Sequence, residues 1–385
     1  MDETGVNRRK FLYGTATAGI IGLAGCTGNG DGDGGDGGDG GDGGDGGDGG
    51  DGGDGADETT TESGDGGDEE AESVSLRVGT SAGGTKDVGL AVERAVSQHS
   101  DMLDYATVES PGYIGTLYRM DQDQFPAGIT DNNSMNKALN DTGAFSEQSV
   151  DSIPLQGFSA FPYSIYFIAR EDTDIETFDD LAGKNVYPAE PGYSTRATTL
   201  DVLSQEPTKD VYDQMNIMNM GVGDAPGAME EGRIDASIAY GTPGVRYTGF
   251  VTEIASRIDV KYVEPTDALI ESAESFAGAG TTRTAYDEWS LGDQDIGTDE
   301  VFTWDLQVNY VFNPSANADA VYELCRVVDE HNDTVNEGEA QFLDYESTED
   351  MLGQIIEGED FPVHPGAAQY YKDNDVWGSG NYVEP

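Results

Sequence analysis

The chain has 385 residues and carries 75 Asp and Glu against 19 Lys and Arg, a formal net charge of -56. That balance excludes a nucleic-acid binder working through backbone phosphates, which needs a basic face, and disfavours side-chain binding to an anionic membrane surface. Two cysteines, Cys26 and Cys325, are too few for a disulfide framework or a cysteine-based structural zinc site.

Residues 1–26 read as an export signal. Arg8-Arg9-Lys10-Phe11-Leu12 forms a twin-arginine pattern, and the apolar run over 14–25 is shorter than the ~20 residues that span a bilayer. Leu23-Ala24-Gly25-Cys26 resembles a lipobox, so Cys26 is expected to be lipidated and to become the first mature residue. Export by the twin-arginine route would leave the protein extracytoplasmic and lipid-anchored to the outer face of the cell membrane. Two acyl chains are expected there, since one chain binds only marginally. Residues 27–72 follow as a Gly/Asp-rich tether with 17 acids and no bases. Nothing in it can bury apolar area, so it is expected to be disordered, with an r.m.s. span of about 35–40 Å.

From residue 73 to 385 there are 56 acids and 16 bases, a net charge of -40, and only six of the bases are lysines. Self-repulsion of that size destabilises a compact state unless salt screens it, and the composition reads as adaptation to very high salt. Alternating strands and helices follow in chain order. A strand over 75–80 opens into Ser81-Ala82-Gly83-Gly84-Thr85, and Val88, Ala91, Val92, Ala95 and Val96 then recur at helical spacing. A strand over 105–109 precedes a helix over 113–120, and a short strand covers 125–130. Residues 162–170 form an apolar, central strand. Residues 179–186 read as helix, glycine stop and strand, 195–204 as a helix, and 228–238 as helix, Gly232 and strand. A strand over 308–312 and a helix over 320–328 come last. The alternation argues an α/β fold with mostly parallel strands, and about 310 residues suit two lobes.

Open α/β sheets bind ligands beyond the carboxyl ends of their strands. Two such loops, at Gly83-Gly84-Thr85 and Gly192-Tyr193-Ser194-Thr195, run directly into helices, whose unpaired N–H groups and dipole ends suit an anion. Ser81, Gly83, Gly84, Thr85, Ser194 and Thr195 are therefore candidates to hold a carboxylate, against the simpler reading as N-caps and tight turns. Arg196 can fork onto a carboxylate or face solvent, and Lys86 can add a second positive charge or be a surface lysine. Asp131 and Asn132 are candidates for a ligand amine or hydroxyl. Tyr163, Tyr166, Tyr240 and Thr242 are candidates to wall the cleft, with core packing as the alternative for each tyrosine.

The order of motifs resembles a solute-binding protein of the TAXI branch of the tripartite ATP-independent periplasmic (TRAP) transporters. The resemblance runs over about residues 76–372 and rests on Gly79-Thr80-Ser81-Ala82-Gly83-Gly84-Thr85, Thr177-Phe178-Asp179-Asp180-Leu181-Ala182-Gly183-Lys184-Asn185-Val186, Pro191-Gly192-Tyr193-Ser194-Thr195, Met229-Glu230-Glu231-Gly232-Arg233-Ile234-Asp235-Ala236 and Val363-His364-Pro365-Gly366-Ala367-Ala368-Gln369-Tyr370-Tyr371-Lys372. It implies a two-lobed α/β fold like that of type II periplasmic binding proteins, with a hinge and a ligand cleft. The lobes are expected at about 74–172 with 300–385, and at about 173–299. It also implies capture of a small organic anion, a carboxylate or amino acid, and delivery to a TRAP-type membrane permease driven by an ion gradient. Where the family usually has an aromatic pair after Gly84-Thr85, this chain has Lys86-Asp87, and the Ser-Gly of the second loop stands as Gly192-Tyr193-Ser194.

Other features point away from chemistry. The three histidines and two cysteines have no metal-ligand spacing, no cofactor motif is seen, and the chain is not read as an enzyme. His364 reads as a structural cap, His99 and His331 as exposed, and Cys325 as core. Residues 79–86 approach a P-loop but carry Thr85 where the motif needs lysine. Asn132, Asn140 and Asn332 each begin a glycosylation sequon. The alternatives are a ligand-sensing surface lipoprotein and a secreted hydrolase.

Overall fold

The computed structural model describes residues 73–289, 291 and 294–385. The twin-arginine signal, Cys26 and the tether lie outside the described residues. The elements are β1 (Val74–Thr80), α1 (Gly84–His99), β2 (Leu103–Glu109), α2 (Gly112–Asp121), β3 (Ala127–Asp131), α3 (Asn132–Leu139) and β4 (Leu155–Arg170). They continue as β5 (Asn185–Tyr187), α4 (Ser194–Leu203), α5 (Lys209–Tyr212), β6 (Asn216–Ile217), α6 (Ala225–Glu230), β7 (Ala236–Thr242), β8 (Arg246–Tyr247), α7 (Gly249–Arg257), β9 (Val260–Tyr262) and α8 (Asp267–Ser275). The last are β10 (Gly280–Ala285), α9 (Tyr286–Trp289), β11 (Glu300–Phe312), α10 (Ala318–Glu330), α11 (Asn332–Gly338) and α12 (Pro365–Asp373).

One sheet runs β2-β1-β3-β11-β4-β7-β5-β6, with β10 on β11, β8 on β7 and β9 on β4. The flanks are parallel: β1 with β2 and β3 on one side, β5 with β6 and β7 on the other. The centre is antiparallel, β11 pairing β3 and β4, and β4 pairing β7. The mostly parallel sheet expected from the alternation is thus corrected to a mixed one. Two long strands, β4 with 16 residues and β11 with 13, run opposite to their neighbours and pass from one flank to the other. Pro162 lacks an N–H for the ladder, and the β4–β11 register shifts between Val308 and Asn309, so pairing is interrupted where the two strands cross between flanks. The result is an α/β fold, as the alternation leads one to expect, with both parallel flanks and the antiparallel centre built on one sheet.

Periodicity places the long helices. Val88, Ala91, Val92, Ala95 and Val96 are the buried stripe of α1, and Val321, Leu324, Cys325 and Val328 that of α10, as a 3.6-residue period requires. Cys325 is a core residue. The helix expected before Gly183 is a single 3₁₀ turn, Phe178–Leu181, held by a capping box between Thr177 and Asp180 and ended by Gly183 at φ 78°. Residues 246–300, assigned no element from the sequence, hold β8 to β10 and α7 to α9. Their strands are two to six residues long, too short for a clear alternation.

Candidate functional site

A cavity of about 730 Å³ lies beyond the carboxyl ends of the strands, within the range usual for small-molecule sites. Four helices begin on it. Gly83, Gly84 and Thr85 start α1 after β1. Ser110, Pro111, Gly112 and Tyr113 start α2 after β2. Tyr193, Ser194 and Thr195 start α4, and Thr248, Gly249 and Phe250 start α7. The N-cap residues Gly83, Pro111, Tyr193 and Thr248 give no side-chain hydrogen bond to their helices. Away from the cavity α3, α10 and α12 are capped by the side chains of Asp131, Asn317 and His364, whereas α5, α6, α8 and α11 also start without a side-chain cap; what sets the four apart is that they share one cavity. First-turn N–H groups, which normally take a capping oxygen, are left for whatever enters the cleft.

The hydroxyls differ in how fully they are engaged. Thr85 Oγ1 lies 2.8 Å from the Tyr113 hydroxyl, Ser110 Oγ donates to the Thr80 carbonyl, and Thr248 Oγ1 donates to the Tyr240 carbonyl. Thr195 is 4% exposed and its Oγ1 makes no close hydrogen bond, its interaction being with the neighbouring Tyr240 phenol. A buried hydroxyl without a close partner costs about 1–3 kcal/mol, which an incoming acceptor would recover. Tyr163, Tyr193, Tyr240 and Phe250 wall the cavity, with ring centroids 5.8 Å apart for Tyr163–Tyr240 and 5.6 Å for Tyr240–Phe250. Burial pushes the Tyr240 phenol up to about 12, so it is a neutral donor at neutral pH. Among the lining residues Glu109 is the one Asp or Glu, and Lys86 holds it at 2.9 Å. Among the described residues no Lys, Arg or His lines the cavity, so an anion placed there would be held by backbone dipoles and hydroxyls.

Of the residues read from the sequence, Ser81, Gly83, Gly84, Thr85, Tyr163, Ser194, Thr195 and Tyr240 converge on the cavity. The others do not. Asp131 is 1% exposed and caps α3, accepting from the backbone N–H and the hydroxyl of Ser134. Asn132 is buried among Gln307, Asn309 and the Gln354 carbonyl. Tyr166 points to the face of β4 opposite Tyr163, as strand alternation requires, and bonds Tyr247 at 2.6 Å. Arg196 spends its guanidinium on the carbonyls of Ala189 (2.8 Å) and Met218 (3.2 Å) and on Asn219 Oδ1 (2.6 Å). Thr242 donates to the Pro162 carbonyl and lines a separate, smaller cavity. Lys86 reaches the rim only through Glu109.

Arg196 is therefore a positioning residue. It holds Ala189, whose φ of +80° is strained for a residue with a Cβ, and so fixes the loop leading to Ser194 and Thr195. Arg196→Ala is expected to cost about 1–3 kcal/mol, the scale of hydrogen bonds from a charged donor. Lysine, which cannot fork, should restore less than half. Denaturant unfolding in molar salt checks this, and wild-type stability in Arg196→Ala would refute it.

Ala82, residues 109–113, Tyr193, Val222, residues 248–250 and Leu306 complete the lining and are not among the candidates. Ser110-Pro111-Gly112 was legible in principle, since it repeats the strand, glycine and helix signature of residues 80–85. Leu306 was not, because β11 reaches the cleft only through pairing far along the chain. The sequons divide: Asn132 and Asn332 are buried with their amides bonded inside, which rules out a glycan on the folded protein, while Asn140 is exposed. His364 caps α12, its Nδ1 accepting from the Gly366 N–H, and burial pulls it down to about 4. His99 and His331, expected to be exposed, are half-buried and stacked at 3.7 Å. Among the described residues no group of three or more His, Cys, Asp or Glu could hold a metal ion.

A model described as the NMT1-like family matches residues 78–374. Among solved structures, the chain is similar to the periplasmic aliphatic sulphonate binding protein SsuA from Escherichia coli, at 13% identity and a TM-score of 0.38 over 78% of this chain and 79% of that one. It is also similar to the substrate binding domain of a putative molybdenum ABC transporter from Clostridium difficile, at 15% identity and a TM-score of 0.37 over 71% and 100%. A third similar structure is the probable amino-acid ABC transporter extracellular-binding protein ytmK from Bacillus subtilis, at 14% identity and a TM-score of 0.40 over 71% and 98%.

Proposed function

The chain belongs to the NMT1-like family, and on that footing we propose that it is the extracytoplasmic solute-binding component of a transporter, of the TAXI-type TRAP kind, that captures a small organic anion. The observation that carries this reading is the convergence of four helix starts without side-chain caps on one cleft, together with the Thr195 hydroxyl, which makes no close hydrogen bond. A carboxylate there would accept from N–H groups of α1 and α2 on one flank and of α4 and α7 on the other. An anion shared between flanks favours the closed arrangement over the open one. In this reading the lobes comprise about 74–172 with 300–385, and about 173–299, and they move about β4 and β11 near Pro162 and Gln307, where the ladder is irregular. The TRAP assignment rests on the order of motifs in the sequence, and the permease would be driven by an ion gradient.

Export and anchoring belong to the same proposal. No helix among the described residues is long and apolar enough to cross a membrane, and attachment would be through a lipid on Cys26. The tether would raise the effective concentration of the binding domain near the permease.

The test is thermal unfolding in molar salt with a panel of carboxylates and amino acids, where stabilisation follows RT ln(1 + [L]/Kd), about 2.7 kcal/mol at 100 Kd. Thr195→Val should weaken binding of the stabilising anion by roughly 10- to 100-fold, the 1.5–3 kcal/mol of a hydrogen bond to a charged group. It should leave the unliganded protein as stable or more stable, because it removes a buried hydroxyl that makes no close hydrogen bond. Ser194→Ala should weaken binding in the same direction. No stabilisation by any anion, or wild-type affinity in both variants, would defeat the reading. Uptake that stops on collapse of the ion gradient but survives ATP depletion would support the TRAP assignment, and the reverse would overturn it.

A further inference from the structure

Behind the main cleft lies a second cavity of about 250 Å³, lined by Gly84, Asp87, Tyr163, Gly241, Thr242, Arg246, Tyr247, Thr248 and Gln341. Gly84, Tyr163 and Thr248 line both spaces and form the wall between them. The two cavities differ in chemistry. Among the described residues the main cleft has no cationic side chain, whereas the rear one has Arg246, which sits 3.1 Å from Glu339 and donates to Gln341 Oε1 at 2.9 Å.

Gln341 is 2% exposed and its Nε2 makes no close hydrogen bond. The neighbouring polar groups are committed. Thr242 Oγ1 donates to the Pro162 carbonyl, Thr248 Oγ1 to the Tyr240 carbonyl, and the Tyr247 hydroxyl pairs with that of Tyr166. What is left over is the buried Gln341 amide, which has no close acceptor and whose interaction with the Tyr163 hydroxyl is one between two donors, beside the half-exposed guanidinium of Arg246; burial keeps the Tyr163 phenol neutral by raising its pKa. Gly84 belongs to the same arrangement, because a Cβ there would lie 2.8 Å from Gln341 Oε1 and 3.1 Å from the Tyr163 hydroxyl. A side chain at this position would fill the wall through which the two spaces adjoin.

We propose that this rear cavity is a second subsite of the same ligand, reached past Tyr163, and that it takes an uncharged hydrogen-bond acceptor such as a carboxamide or ketone oxygen. The inference rests on the anion-binding reading of the main cleft. Donors without acceptors call for an acceptor. Its neutrality follows from the charges already present: Glu339 neutralises Arg246, its side chain only 9% exposed, and Asp87 adds another negative charge. A carboxylate there would be a third acid against one base, desolvated without a cation of its own. The ligand class is thus a molecule with an anionic head for the helix starts and a neutral polar far end, rather than a symmetric dicarboxylate. The rear volume admits a carboxamide and is also roomy enough for water.

The experiment compares three probes that share one carboxylate and differ at the far end: pentanoate (methyl), glutarate (carboxylate) and glutaramate (carboxamide). Calorimetry in molar salt should show glutaramate binding at least about fivefold more tightly than either of the others, the scale of one or two net hydrogen bonds. Gln341→Glu keeps the contact to Arg246 and exchanges the donor for an acceptor, so it should bring the glutaramate-to-pentanoate ratio to within about twofold. Thermal unfolding of this variant checks that it is folded. Should it fail to fold, Arg246→Lys, which removes the guanidinium fork, should lower the same ratio. Glutarate binding most tightly, or equal binding of glutaramate and pentanoate in the wild type as water-filled space would give, overturns the subsite and leaves the anion reading standing. Binding of none of the three overturns both.

Discussion

Gly83→Ala is expected to destabilise the protein by about 1–3 kcal/mol and to weaken anion binding in the same step. Gly83 sits at φ 75°, ψ -144° at the start of α1, a region essentially reserved for glycine. A Cβ there meets nothing within 4 Å, so the penalty is backbone strain and not crowding. Relieving that strain means turning the peptide that aims the first N–H groups of α1 into the cleft. Stability and affinity should therefore fall together. Gly183 provides the control: it also has a positive φ, 78°, with open space around it, but it ends a 3₁₀ turn and does not line the cavity. Gly183→Ala should lose comparable stability and retain wild-type affinity. Denaturant unfolding and calorimetry of the two variants in molar salt check this. A Gly83→Ala protein with unchanged affinity would show that the start of α1 does not touch the ligand.

Lowering the salt should unfold the protein. Between residues 73 and 385 the net charge is -40. All six lysines of this region already have a carboxylate partner: Glu109, Asp201, Asp174, Asp213, Glu176 and Glu384. Most of these pairs are at least partly exposed and each contributes at most about 1 kcal/mol, so pairing leaves most of the acids facing one another through solvent. Screening then decides. The Debye length is about 3 Å at 1 M and about 10 Å at 0.1 M, and over that range repulsion spreads from adjacent acids to whole faces of the molecule. Circular dichroism should report a cooperative loss of structure between those concentrations, reversed by adding salt back. Full structure in dilute buffer would contradict the reading of the composition as a salt adaptation.

Several elements are legible in the amino-acid sequence, for local reasons. The buried stripe of α1 is set by side-chain spacing alone, as are the turn at Gly83-Gly84 and the capping role of His364. Ser81, Gly83, Gly84, Thr85, Ser194 and Thr195 reach one cavity because each stands within a few residues of a strand end that feeds a helix, and that relation is written in consecutive residues. Boundaries move by a few residues where pairing extends a strand. The strand read over 162–170 begins at Leu155 because β11 supplies partners from Leu155 onward.

Other assignments depend on contacts between distant segments. Arg196 follows a helix start, as an anion ligand would, yet its guanidinium is taken by carbonyls at 189 and 218, and only the packing of β5 and β6 brings Met218 within reach. Asp131 stands at a strand end but serves its own helix, because Ser134 lies three residues on. Tyr166 and Tyr163 look alike in an apolar strand, and the pleat sends them to opposite faces.

By itself the sequence determined the acidic composition, the α/β alternation and two of the four helix starts at the cleft. These are short-range properties, carried by side-chain spacing, glycine conformations and summed charge. The tertiary structure decided the antiparallel centre, the starts of α2 and α7 as cleft walls, the absence of cations among the described lining residues, and the rear cavity where Arg246 meets Glu339 and Gln341. Each of these depends on which distant segments pack together, and strand pairing and core burial fix that only when the whole chain has closed on itself.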